Sequence, residues 1–109
     1  MAGIETEISR LKSKDVKVKR RAVRHLFEAD VPSALKGFIP LLTDEDIWFR
    51  TKSLEAHRRW ASTPSDLAPL MDNEQRLVGE LLSKIDAPEL AIELLENPDS
   101  ITRSFAAKL

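Results

Sequence analysis

The chain has 109 residues, enough for one modest core and too few for two, so a single domain over residues 1–109 is expected. Hydrophobic residues at 42% and charged residues at 32% exclude a disordered or membrane-embedded chain, and zero cysteines exclude disulfides, thiolate metal sites and cysteine nucleophiles. The net charge of -1 conceals a polarity: residues 1–65 hold 13 Lys/Arg against 9 Asp/Glu, a net of +4, and residues 66–109 hold 4 against 9, a net of -5.

Apolar residues recur at helical spacing along nearly the whole chain, and no alternating strand pattern is present. Ile4, Ile8 and Leu11 share a face of a short first helix, which breaks at Ser13 to Asp15. A second helix to about Ala29 carries the stripe Val18, Ala22, Val23, Leu26 and Phe27. Asp30-Val31-Pro32 reads as a cap with proline in the first turn, opening a third helix through Phe38, Ile39 and Leu42. Gly37 and Pro40 weaken that helix. An acidic turn leads to a fourth helix ending near Ala61, on which Phe49, Ser53, Ala56 and Trp60 form the apolar stripe. Ser62-Thr63-Pro64 and Asp86-Ala87-Pro88 repeat the cap-and-proline opening, and between them Asp72 is expected to cap a helix with Leu77, Val78, Leu81, Leu82 and Ile85. Leu90, Ile92, Leu94 and Leu95 follow Pro88, then a turn at Asn97-Pro98 and a last helix with Ile101, Phe105 and Leu109.

Set in register, the second helix of each pair repeats one pattern. Asp15, Asp46, Asp72 and Asp99 each stand four residues before Lys19, Arg50, Arg76 and Arg103, and the small residues Ala22, Ser53, Gly79 and Ala106 follow three later. Successive basic positions lie 31, 26 and 27 residues apart, a period that helix pairs give when they stack as a solenoid. A basic side chain on an apolar stripe must find an acceptor, and an Asp ladder between repeats would supply it, so the four basic residues read as structural.

The pattern resembles the HEAT-repeat family in its short forms. Asp44, Asp46 and Arg50 match the family's turn, Asn97, Asp99 and Arg103 nearly match it, and Pro40 matches a common family proline. The resemblance covers almost the whole chain and is poorest in the third pair, whose first helix (66–71) is very short. It implies an all-α fold, a right-handed α-solenoid of about four helix pairs with the third degenerate, in which the second helices line a concave binding surface. A compact orthogonal bundle is the alternative if the third pair does not stack. Some HEAT-like proteins are DNA glycosylases, but those are longer and their catalytic residues have no match here.

Chemistry is sparse. His25 and His57 have no ligand set at helical spacing, and His57 reads as a hydrogen-bonded core residue. Gly3, Gly37 and Gly79 are isolated, so no phosphate loop forms, and no Gly-x-Ser-x-Gly turn appears. No catalytic residue, cofactor, metal or small-molecule substrate is expected. The segment MAGIETEISR lacks a basic-then-apolar signal and no apolar run nears the ~20 residues that cross a bilayer, so the expectation is a cytoplasmic protein with no membrane partner.

Three surfaces are candidates for binding. Lys17, Arg20, Arg21 and Arg24 fall together on the second helix, where they would meet nucleic-acid phosphates, although no aromatic interleaves them for base stacking. Trp48 sits beside Lys52, Glu55 and Arg59 on the polar side of the fourth helix, the composition of a protein-interface hot spot. Phe105 and Leu109 either meet a partner or complete the last pair's own core. The charge polarity can steer a partner to one end or let copies meet head to tail. The expected function is a non-enzymatic protein–protein adaptor, scaffold or accessory subunit. The alternative is DNA or RNA association through the basic helix, directly or within a replication or repair assembly.

Overall fold

Most of the helical spacing becomes helix, although Leu82 and Ile85 fall past the end of the helix expected to carry them. The computed structural model describes residues 3–108, and among the described residues there are eight α-helices, three short 3-10 segments and no strand. The chain divides into two compact units, Met1–Trp60 and Ala61–Leu109, each holding two of the helix pairs read from the sequence.

In the first unit α1 (Ile4–Arg10) packs on α2 (Val16–Ala29). Ile8 and Leu11 are buried against Ala22, Val23 and Leu26, so the stripe on each helix is the face that meets the other. Asp15 caps α2, its carboxylate accepting from the Lys17 N–H at 2.9 Å. The expected third helix is instead a composite: a 3-10 turn (Pro32–Ala34), a single turn of α3 (Leu35–Phe38), and a further 3-10 stretch (Ile39–Thr43). Pro40 has no N–H to continue an α ladder, and the tighter helix absorbs the loss. Gly37 permits the approach of α3 to α1, since a Cβ there would lie 2.9 Å from Ile8 Cγ2 and 3.0 Å from Leu11 Cδ1. The long α4 (Ile47–Trp60) buries Phe49, Ser53, Ala56, His57 and Trp60.

An aromatic trio closes this core. Phe27 stacks on Trp60 with centroids 5.1 Å apart, and Phe38 meets both edge-on at 5.5 and 5.8 Å. Two buried polar atoms on α4 are bonded locally: Ser53 Oγ donates to the Phe38 carbonyl at 2.6 Å, and His57 Nδ1 lies 2.7 Å from the Ser53 carbonyl.

In the second unit α5 (Pro64–Leu67) opens on a capping box, where Asp66 accepts from the Ser62 and Thr63 N–H groups at 2.9 and 3.1 Å. A 3-10 turn (Ala68–Leu70) follows, then α6 (Gln75–Leu81), α7 (Pro88–Leu94) and α8 (Ser100–Ala107). Leu67, Leu70, Val78 and Leu94 are fully buried. Gly79 lets α8 lie directly on α6, because a Cβ there would stand 2.8 Å from Phe105 Cβ.

Three expected caps are elsewhere. Asp30 ends α2 in the left-handed conformation (φ 54, ψ 61), with its N–H on the Leu26 and Phe27 carbonyls, and Val31 precedes Pro32 as the N-cap. Ala87, not Asp86, precedes α7, and α6 begins at Gln75 behind Glu74, leaving Asp72 in the turn.

Candidate binding surface on the first unit

Three of the four turns before the second helices share one construction. The side chain two residues ahead of the capping Asp accepts from that Asp's N–H: Ser13 Oγ to Asp15 at 3.1 Å, Asp44 Oδ1 to Asp46 at 2.8 Å, and Asn97 Oδ1 to Asp99 at 2.8 Å. Four residues past two of those Asp residues, an arginine folds back onto the turn. Arg50 Nη1 donates to the Asp44 and Glu45 carbonyls at 2.6 and 3.0 Å, and Arg103 Nη1 to the Asn97 and Pro98 carbonyls at 2.7 and 2.8 Å. The other two basic residues reach the next pair. Lys19 forms a half-buried ion pair with Asp44, and Arg76 grips Asp99 through two hydrogen bonds at 3.2 and 3.3 Å.

All four basic positions thus serve the framework by two different means: two reach carboxylates of the neighbouring turn and two reach carbonyls of their own. Both carboxylates respond. Burial pushes the Asp44 carboxyl up, but the Lys19 hydrogen bond, the Asp46 N–H and the charges of Lys19 and Arg50 outweigh it and hold the group below its ordinary value. The Thr102 hydrogen bond, with smaller help from Arg76, lowers Asp99 against the cost of its burial.

Further cations gather on the α2–α4 surface. Trp48 is half-buried and meets Phe49 edge-on at 5.1 Å. Three cations lie over its ring: Arg20 Cζ at 5.6 Å, Arg24 Cζ at 5.9 Å and Lys52 Nζ at 5.5 Å from the centroid. Phe27 takes Lys52 at 5.4 Å and Arg59 at 5.1 Å, and Arg59 also donates to the Phe27 carbonyl at 3.2 Å. The carboxylates on this surface are Asp46, 3.7 Å from Arg20, and Glu55, 3.3 Å from Lys52.

Two candidate sets therefore meet on one face. Trp48, Lys52, Glu55 and Arg59 come from α4, and Arg20 and Arg24 from α2. The sequence offered no aromatic for the basic helix because Trp48 lies on another helix, 24 residues past Arg24. Arg21, grouped with Arg20 and Arg24 on the helical wheel, turns away toward α1. There it lines a depression of about 180 Å³ with Glu7, Arg10, Val18 and Ala22. Lys17 is exposed at the start of α2. Phe105 is half-buried against Gly79, and Leu109 lies outside the described residues.

Comparison with protein-family models, curated proteins and solved structures found no match for this chain. Among the described residues no helix is long and apolar enough to cross a membrane, and no group of three or more His, Asp or Glu gathers as a metal site would need.

Proposed function

We propose that the chain is a non-enzymatic protein-interaction module, a small cytoplasmic adaptor or accessory subunit built as a short right-handed HEAT-type solenoid. Its docking surface is the α2–α4 face of the first unit, and its partner presents an acidic segment. The observation that carries this reading is the half-buried Trp48 ring beneath Arg20, Arg24 and Lys52. Partner carboxylates draw those cations off the ring, and the indole is then covered by the partner's apolar side chains. Tryptophan and arginine are the residue types that dominate interface energies, and removing such an anchor costs on the order of 2 kcal/mol or more.

A second reading, nucleic-acid association, is favoured by the same juxtaposition, since cations beside a half-buried aromatic also suit a phosphate backbone and a stacked base. Salt separates the two. Phosphate contacts release counterions and weaken by orders of magnitude between low and moderate salt, whereas an interface anchored by a buried ring holds. The experiment is affinity capture from the host lysate at two salt concentrations, with and without nuclease, using wild type, Trp48→Ala and Arg20→Glu/Arg24→Glu. A stoichiometric protein that survives nuclease and salt and disappears with Trp48→Ala is the expected result. Recovery of nucleic acid that moderate salt or the charge reversal abolishes would overturn the protein reading in favour of the second.

A further inference from the structure

The second unit carries a groove of about 300 Å³ lined by Leu82, Ile85, Ala87, Ala91, Ile92 and Leu95, with Ala106 of α8 at its side. Its outer wall is apolar and open: Ile92 is 65% and Leu95 48% exposed. Glu89, Glu93 and Glu96, all exposed, stand on the same segment of chain, in the part of the sequence with a net charge of -5. One helical turn from Ala106 is Arg103, exposed, its Nη1 on two carbonyls and no carboxylate partner among the described residues. In that register Lys19 and Arg76 each hold an Asp of the following turn.

The first helix pair has the complementary features. Asp15 stands in the register of Asp99, caps α2, and has no cationic partner among the described residues. Beside it Val16 is 49% exposed, and Lys12, Lys14 and Lys17 are all exposed around it.

We infer that the groove receives a second copy of this chain. The first helix pair of one molecule packs against α7 and α8 of another, Val16 covers part of the groove's wall, the lysines face the α7 carboxylates, and Arg103 takes the Asp15 carboxylate of the incoming copy. The contact repeats the Arg76–Asp99 link between molecules, and it is head to tail, so each copy offers one of each surface. The occupant is a second copy because the charges match: a net +4 half meets a net -5 half, and Arg103, which holds only carbonyls, meets Asp15, which holds only an N–H, in the positions of the Arg76–Asp99 link. The contact involves neither Trp48 nor Arg24, so it stands or falls apart from the docking surface proposed above.

The test is sedimentation velocity at low salt, up to about 1 mM protein, the range of a weak contact. Wild type is expected to grow in average size with concentration. Ile92→Glu, Arg103→Glu and Asp15→Arg should each weaken association about tenfold or more. An equimolar mixture of Arg103→Glu and Asp15→Arg should recover it, because each mutant tail then faces an opposite charge. Asp15→Arg removes a helix cap and Arg103→Glu a turn clasp, so circular dichroism accompanies both, and Ile92→Glu, at an exposed site, carries the test alone if either variant unfolds. A wild type that stays monomeric, association unchanged by Ile92→Glu, or association lost instead with Trp48→Ala or Arg24→Glu would each overturn the inference.

Discussion

Gly79→Ala measures how tightly the second unit is built. A methyl group there would stand 2.8 Å from Phe105 Cβ and 2.9 Å from its Cδ2, so it collides with atoms fixed close to the α8 backbone, not with the end of a flexible side chain. Relief requires α6 and α8 to move apart, and overpacking of this kind costs roughly 1–3 kcal/mol. Alanine returns up to about 1 kcal/mol of helix propensity over glycine, so the expected net loss is about 1–2 kcal/mol. Gly37→Ala is the internal control. Its new methyl meets Leu11 Cδ1, the end of a side chain that can shift, and Ile8 Cγ2, which moves only when the whole Ile8 side chain turns. That variant should therefore cost less than Gly79→Ala, about 1 kcal/mol at most. Urea titration followed by circular dichroism reads both changes as midpoint shifts at constant slope. If Gly79→Ala proves as stable as wild type, or if Gly37→Ala costs more, the close packing of α8 on α6 is not what the glycine serves.

Two further predictions concern the first unit. Asp30 holds the left-handed conformation and accepts from Trp60 Nε1 at 2.8 Å, so Asp30→Ala loses both a tolerated backbone and an acceptor, at roughly 1–2 kcal/mol for the backbone alone. Asp30→Gly loses only the acceptor and Asp30→Asn keeps both, so melting temperatures should rank Asn, then Gly, then Ala; an Ala variant matching Gly would remove strain from the account. Asp44, whose carboxyl is lowered by the fold, contributes stability that is complete above the unfolded value of about 3.9 and is lost as pH falls below it. Lys19→Met should therefore be less stable than wild type at pH 7 yet lose less on acidification to pH 3, and parallel losses in the two proteins would show the pair to be neutral.

The helices and the turn pattern were legible because they are local. Asp44, Asp46 and Arg50 interact within seven residues, so their spacing alone encodes the loop, and Asn97, Asp99 and Arg103 repeat it. The caps were misplaced for a definable reason. Proline at the first helical position makes the residue directly before it the N-cap and pushes that residue into extended backbone. Val31, Thr63 and Ala87 occupy that place, and only Thr63 has a side chain suited to it. The third pair's turn departs because α6 starts three residues past Asp72, although Arg76 keeps its place and reaches Asp99. The cluster on Trp48 was not legible at all. It joins side chains from two helices, and a helical wheel describes one helix at a time.

The arginine-fastened turns bear on how the chain meets proteases. Surface turns between helices are ordinarily the first places to be nicked, because a protease must draw the backbone out as an extended strand. At 44–46 and 97–99 the carbonyls that a protease would engage are already held by Arg50 and Arg103, and the capping N–H groups are held as well. Cleavage is thereby diverted to connections without that clasp, the basic stretch around Lys12 and Lys14 and the segment 83–86. Cuts at 83–86 would sever the backbone between the second unit's two helix pairs and leave both fastened turns whole.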